Sequence, residues 1–258
     1  MRELEPKDRI IVALDVDSID KAIFLVDELR DNVGCFKIGL QFINAMLVSI
    51  IASRAKDEAI KNLTKIRKLF RLLGGNIFWD GKLDDIPNTI AGASIEINKI
   101  SVKMFNLHAS AGDEAIKKAV ANKGNALCLG VTVLTSIDEV ECVSIFGEGP
   151  QSKVLYFAAK LVDAKADGII CSPQELAPLS ANEELDPLVK VIPGIRPKWA
   201  ATGDQKRITT PADAVKSGAD YLVIGRPITK PPVEIGSSRI AAELIADEIA
   251  KALKGGGK

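Results

Sequence analysis

The decapeptide DGKLDDIPNT at residues 80–89 ends an apolar run and gathers charge of both signs just ahead of a helix-like stretch. Asp80 and Lys82 stand two apart, so on a strand their side chains share one face, and Asp85 stands where a helix N-cap belongs. Asp15 follows the run IIVAL and Lys37 lies within CFKIGL, so two acids and two amines fall at the ends of apolar runs. An ammonium flanked by carboxylates stays charged and oriented, and from that state it can deliver a proton to a carbanion. A ring of salt bridges that merely ties strand ends together requires the same residues. Convergence of all four beside an anion site is what separates the two readings.

A second constellation supplies such a site. VIPGIR at residues 191–196 and VIGR at residues 223–226 each end an apolar run in glycine and arginine. Gly194 and Gly225 permit close backbone approach, and a guanidinium such as that of Arg226 grips phosphate oxygens bidentately. Between the two runs, residues 197–207 form a long polar loop carrying Gln205, which reads either as a lid over a bound anion or as a plain surface loop. Thr135 and Ser136 offer hydroxyls to a polar ring edge, or cap the helix-like stretch that follows. His108, the one histidine of the chain, reads as a hydrogen-bonded structural residue.

Elements able to hold these residues together are legible as periodicity. Strand-length apolar runs lie at residues 9–15, 35–40, 76–83, 101–108, 126–134, 168–172, 189–194 and 221–225, and segments of helical spacing such as 19–30 and 113–121 alternate with them. Eight alternating pairs without a linker rich in Pro, Gly or Ser predict one α/β domain over residues 1–258, a closed (β/α)8 TIM barrel; an open doubly wound sheet is the alternative. In a barrel, the charged residues collected where strands stop fall at the C-terminal mouth, where such folds carry their active sites. Residues 52–73 exceed a minimal barrel and read as a helical insertion or an extended second helix, with an apolar side of Ile60, Leu63, Ile66 and Phe70 and a basic, solvated face. Residues 254–258 read as a flexible tail.

Composition narrows the function classes. Thirty-four basic and thirty-four acidic residues give zero formal charge, which predicts no global attraction for nucleic acid or an anionic membrane. The charged N-terminus lacks the apolar core of a secretory signal, and the longest apolar stretch is broken by Gln41 and Asn44. Cys35, Cys128, Cys142 and Cys171 are widely spaced and form no CxxC pair, which predicts buried free thiols in a reducing cytoplasm and no metal set.

ALD at residues 13–15, FKIGL at 36–40, DGKLDDIPNT at 80–89, TVLTS at 132–136, PGIRP at 193–197, DQKR at 204–207 and IGRPI at 224–228 occur in the order in which they stand in the orotidine 5'-phosphate decarboxylase family, which the chain resembles over nearly its whole length. The resemblance implies a homodimeric, cytoplasmic barrel with shared active sites that converts orotidine 5'-monophosphate to UMP and CO2 in pyrimidine synthesis, without metal or organic cofactor. It implies that Lys82 protonates C6 of the pyrimidine and that Asp80 lies beside the departing carboxylate. Lys37 and Asp15 would hold the ribose hydroxyls, and Asp85 and Thr89 would reach the partner's site. Thr135 and Ser136 would face the pyrimidine, and Arg196, Gln205, Gly225 and Arg226 would surround the phosphate. Gly81, where many members carry a larger apolar residue, and Asp84 depart from the pattern. A magnesium-dependent barrel that decarboxylates a 3-keto sugar phosphate is the nearest rival, and Lys37 argues against it because an acid stands there in that group. A non-catalytic phosphate-binding barrel is a further rival, opposed by the joint presence of Asp80, Lys82 and Asp85.

Overall fold

A computed structural model describes residues 4–200 and 209–255. Eight parallel strands close into a barrel in sequence order: β1 Ile10–Ala13, β2 Cys35–Gly39, β3 Ile77–Leu83, β4 Met104–His108, β5 Leu127–Val131, β6 Gly168–Ile170, β7 Val189–Ile192 and β8 Tyr221–Ile224. All eight lie inside the stretches expected from periodicity, and β1 pairs with β8 to complete the ring. The open sheet is thereby excluded.

The strands are apolar on both faces because each face has its own core. Ile11, Ala13, Cys35, Phe78, Met104, Leu129, Val191 and Val223 fill the interior, while Ile10, Val12, Phe36, Ile38, Phe105 and Leu222 pack outward against the helices. Fully burying one such large side chain contributes about 1.5–3 kcal/mol, so this double core is what closes the barrel.

Eleven helices are described: α1 Ile19–Leu29, α2 Leu40–Ile51, α3 Lys56–Leu73, α4 Pro87–Asn98, α5 Asp113–Ala121, α6 Glu139–Phe146, α7 Pro150–Asp163, α8 Leu176–Ser180, α9 Pro211–Lys216, α10 Arg226–Thr229 and α11 Ser238–Gly255. Of the two readings of residues 52–73, a separate helix is found: α3 follows a break after α2 and packs on both α1 and α2. Its buried side is Leu69 and Leu73, with Ile66 and Phe70 partly covered, whereas Ile60 and Leu63 are 50% and 42% exposed and do not belong to that face. Helix α11 includes Lys254 and Gly255, so these two residues are helical and not tail; the remaining three lie outside the described residues.

One irregularity prepares the site. Trp79 pairs with Phe105 and the next pair is Leu83 with Leu107, so β3 advances four residues while β4 advances two. The surplus is a bulge centred on Gly81 and Lys82, of the kind that re-aims a side chain at the rim of a barrel.

Candidate active site

The four charged residues of the first constellation arrive from three neighbouring strands. Lys37 projects from β2, and Asp80 and Lys82 from the end of β3, while Asp15 follows β1. They meet as a chain: Lys37 Nζ lies 3.3 Å from Asp15 Oδ1 and 3.1 Å from Asp80 Oδ2, and Lys82 Nζ donates to Asp80 Oδ1 at 2.6 Å. Gly39 leaves room for this chain, since a Cβ there would come within 2.8 Å of Lys37 Nζ. Asp80 is buried, so its carboxylate is held between two ammonium groups with little water to share.

The electrostatics follow from that arrangement. Burial by itself raises the Asp80 pKa, but Lys37 and Lys82 outweigh it and, with hydrogen bonds from Lys82 and Asn106, hold the carboxyl below its ordinary range. Burial by itself lowers the Lys37 pKa, and Asp80 and Asp15 together overcome it, so the ammonium titrates above its usual value. Both stay ionised at neutral pH. The Lys82 side chain remains 31% exposed, with its ammonium toward a cavity.

That cavity, about 250 Å³, is lined by Lys37, Asp80, Lys82 and Thr135 together with apolar Val131, Val133, Ile170 and Val223. It shares Lys37, Pro193 and Val223 with a second cavity of about 180 Å³, which is lined by Asp15, Gly194, Arg196, Gly225 and Arg226. Burial, and the neighbouring charge of Arg226, draw the Arg196 pKa down. Two guanidiniums close enough to oppose one another suit an anion between them. Gly194 has φ +78°, a left-handed turn that sends the chain past this cavity directly after β7. The arrangement thus offers an apolar slot for a flat ring, an ammonium aimed into it, and an anion site beyond.

Other expected residues fall differently. Ser136 lines neither cavity, and the helix after Thr135 is capped by Asp138, whose side chain accepts from the Glu141 N–H at 3.0 Å; Thr135 and Ser136 are therefore not caps. Asp85 is not the N-cap of α4. Pro87 forces Ile86 into the extended conformation, which makes Ile86 the capping position, and the Asp85 carboxylate accepts the Ile86 N–H at 2.7 Å. Asp85 and Thr89 are exposed and line neither cavity of their own chain. Gln205 lies outside the described residues, although the ends of its loop are tied by the Arg196 N–H donating to Thr209 O at 2.9 Å. His108 is half-buried, its ring makes no hydrogen bond among the described residues, and burial lowers its pKa against the opposing charge of Asp84. Among the described residues no cluster of three or more His, Cys, Asp or Glu side chains could hold a metal, and no helix is long and apolar enough to cross a membrane. All four cysteines are buried free thiols.

Asn106, in the middle of β4, escaped the sequence reading. It is 1% exposed, its Nδ2 donates to Asp80 Oδ1 at 2.7 Å, and its Oδ1 accepts the Lys82 backbone N–H at 2.7 Å. The available signal was a polar residue within the otherwise apolar run of MFNL.

The family described as "Orotidine 5'-phosphate decarboxylase / HUMPS family" matches residues 8–235. A protein of Heliobacterium modesticaldum named orotidine 5'-phosphate decarboxylase is 39% identical over 261 residues, covering 97% of this chain and 99% of the relative. One of Syntrophomonas wolfei with the same name is 38% identical over 256 residues, covering 93% and 99%. Among solved structures, orotidine 5'-phosphate decarboxylase from Lactobacillus acidophilus superposes with a TM-score of 0.70 at 29% identity, covering 93% of this chain and 98% of the other. With the barrel closed in the same way and the match running nearly end to end, the chain belongs to the orotidine 5'-phosphate decarboxylase family.

Proposed function

We propose that this chain catalyses cofactor-independent decarboxylation of orotidine 5'-monophosphate to UMP and CO2, with Lys82 as the proton donor to C6. The relatives bear the name of a carboxy-lyase of pyrimidine synthesis, and the chain is an enzyme of that class. The observation that carries the finer reading is the unbroken Asp15, Lys37, Asp80, Lys82 chain beside a cavity that leads to two arginines.

The difficulty of the reaction is a carbanion left in the plane of the pyrimidine when CO2 departs. An ammonium already fixed by Asp80 offers positive charge where that electron pair develops, without reorganisation at the moment of reaction. The bond from C6 to the carboxyl carbon breaks, its electron pair stays on C6, and the Lys82 ammonium supplies the proton that forms the C–H bond. The apolar wall of Val131, Val133 and Ile170 suits the departing, uncharged CO2. Arg196, Gly225 and Arg226, with Gln205 from the loop, hold the phosphate; Asp15 and Lys37 hold the ribose hydroxyls; Thr135 faces the ring. Phosphate binding far from C6 then contributes to orienting the reacting centre.

The same reading makes the enzyme a cytoplasmic homodimer. Asp85 and Thr89 line neither cavity of their own chain, and Ile86 between them is 67% exposed, which suits a strand end covered by a second copy whose site these residues complete. The test is the loss of orotidine 5'-monophosphate absorbance in buffer containing a chelator: turnover supports the reading, and turnover that depends on added metal would sink it. Mixing Lys82→Ala with Asp85→Ala protein should regenerate activity in hybrid dimers. No recovery despite confirmed subunit exchange would rule out the shared site.

A further inference from the structure

Asn106 occupies the interior of β4 with both ends of its amide committed to β3. Its orientation is set by its neighbours, because only the NH2 group can serve the Asp80 carboxylate and only the carbonyl can accept the Lys82 N–H. The N–H it accepts belongs to the bulge. Between the Trp79–Phe105 and Leu83–Leu107 pairs the ladder is interrupted, and in that gap the Asn106 side chain binds the backbone of β3. Lys82 itself sits at φ +46°, a left-handed conformation that is strained for a residue with a Cβ and persists only where its surroundings impose it.

We propose that Asn106 is a positioning residue for Lys82: one amide clamps the bulged backbone of Lys82 to the carboxylate that its ammonium must face, fixing the lysine's left-handed turn and the direction of its side chain. The proposal rests on the reading of Lys82 as proton donor. Without the amide, β3 can relax toward a regular pairing with β4, and the ammonium then leaves the position in which it meets C6. The same loss deprives Asp80 Oδ1 of one of its two donors.

Asn106→Leu and Asn106→Asp, made in the full chain, test it by steady-state kinetics across pH. For Asn106→Leu, kcat should fall about 10²-fold, the scale of a misplacement of about 1 Å, with KM changed less than about threefold. Asn106→Asp keeps the acceptor for the Lys82 N–H but sets a carboxylate against Asp80, so the pair retains a proton to higher pH than either acid alone. The protonated form again donates to Asp80, and kcat of this variant should climb back toward the parent as pH falls, a limb the parent lacks. The charged groups around the position are Asp80 and Lys82 from β3, Lys37 from β2 in the same cavity, and His108 on β4, while β5 sets Leu129 opposite it.

An unchanged kcat in Asn106→Leu, or a pH-independent loss in Asn106→Asp, overturns the proposal. Should the parent itself fail to turn over orotidine 5'-monophosphate, the proton-donor reading fails instead, and crystal structures decide the positioning. Lys82 keeping its positive φ and its contact with Asp80 in Asn106→Leu refutes the clamp; loss of both supports it.

Discussion

Replacing Asp80 by Asn removes one charge and nearly preserves shape, and it leaves two ammonium groups facing each other across the strand ends. Lys37 Nζ is 3.1 Å and Lys82 Nζ 2.6 Å from the carboxylate. At an effective dielectric constant of about 20 each contact is worth about 5–6 kcal/mol of gross Coulomb attraction, most of it offset by desolvation. What remains is the cost of stranding Lys37, whose side chain is 12% exposed and keeps only the half-exposed Asp15 as partner. Removing one member of such a buried pair typically costs about 3–5 kcal/mol; Lys82, being more exposed, adds little, so about 3 kcal/mol is expected. For a chain of this size that lowers Tm by about 6 °C. Urea titration at neutral pH gives the free energy, and Lys37→Met combined with Asp80→Asn should cost at least about 1 kcal/mol less than the sum of the single variants. The pH profile carries a sign. The Asp80 pKa is depressed in the folded state, so its contribution is present above the unfolded value of about 3.9 and is lost as pH falls through the lower folded value. The gap between parent and Asp80→Asn should therefore be constant near neutrality and shrink in acid. A Tm within about 2 °C of the parent, or additive single variants, would show that Asp80 does not hold the two ammonium groups in place.

Three further outcomes are expected. Lys37 behaves in the opposite sense, its folded pKa being raised, so its stabilisation is present below about 10.4 and is lost as pH rises through the higher folded value; the gap between parent and Lys37→Met should close only in strong alkali. Asp85→Ala removes an exposed side chain and one contact to the Ile86 N–H, so stability should fall by no more than about 1 kcal/mol in urea titration while turnover collapses. Burial pushes the thiols of Cys35 and Cys128 up to about 12 and that of Cys171 well above its ordinary value, so a disulfide reagent at mildly alkaline pH should leave these three unlabelled in the native protein and label all four cysteines after denaturation.

The barrel was legible because its strands are buried on both faces and read as unbroken apolar runs. Strand ends were less so. The run at 101–108 starts as a strand only at Met104, since Ser101 takes a left-handed φ of +53° and closes the turn after α4. Asp15, Lys37, Asp80 and Lys82 were found through charge at apolar run ends, where an ionised side chain is costly unless an opposite charge meets it. Asp85 was misplaced by one position because Pro87 and not the acid sets where α4 begins. Asn106 was invisible for a different reason: its partners are a carboxylate and a backbone N–H on another strand, and only the β3–β4 register brings them together. The exposed side of Ile60 and Leu63 was likewise undecidable from helical spacing alone, which gives a face but not what it meets.

The proposed chemistry turns on the Lys82 ammonium, held by Asp80, protonating C6. Lys82→Ala probes that step with turnover and binding measured together: absorbance loss from orotidine 5'-monophosphate in chelator-containing buffer, and UMP affinity by calorimetry on the same preparation. Turnover should vanish while UMP still binds through the phosphate and ribose contacts. Turnover in Lys82→Ala close to that of the parent would contradict Lys82 as the proton donor.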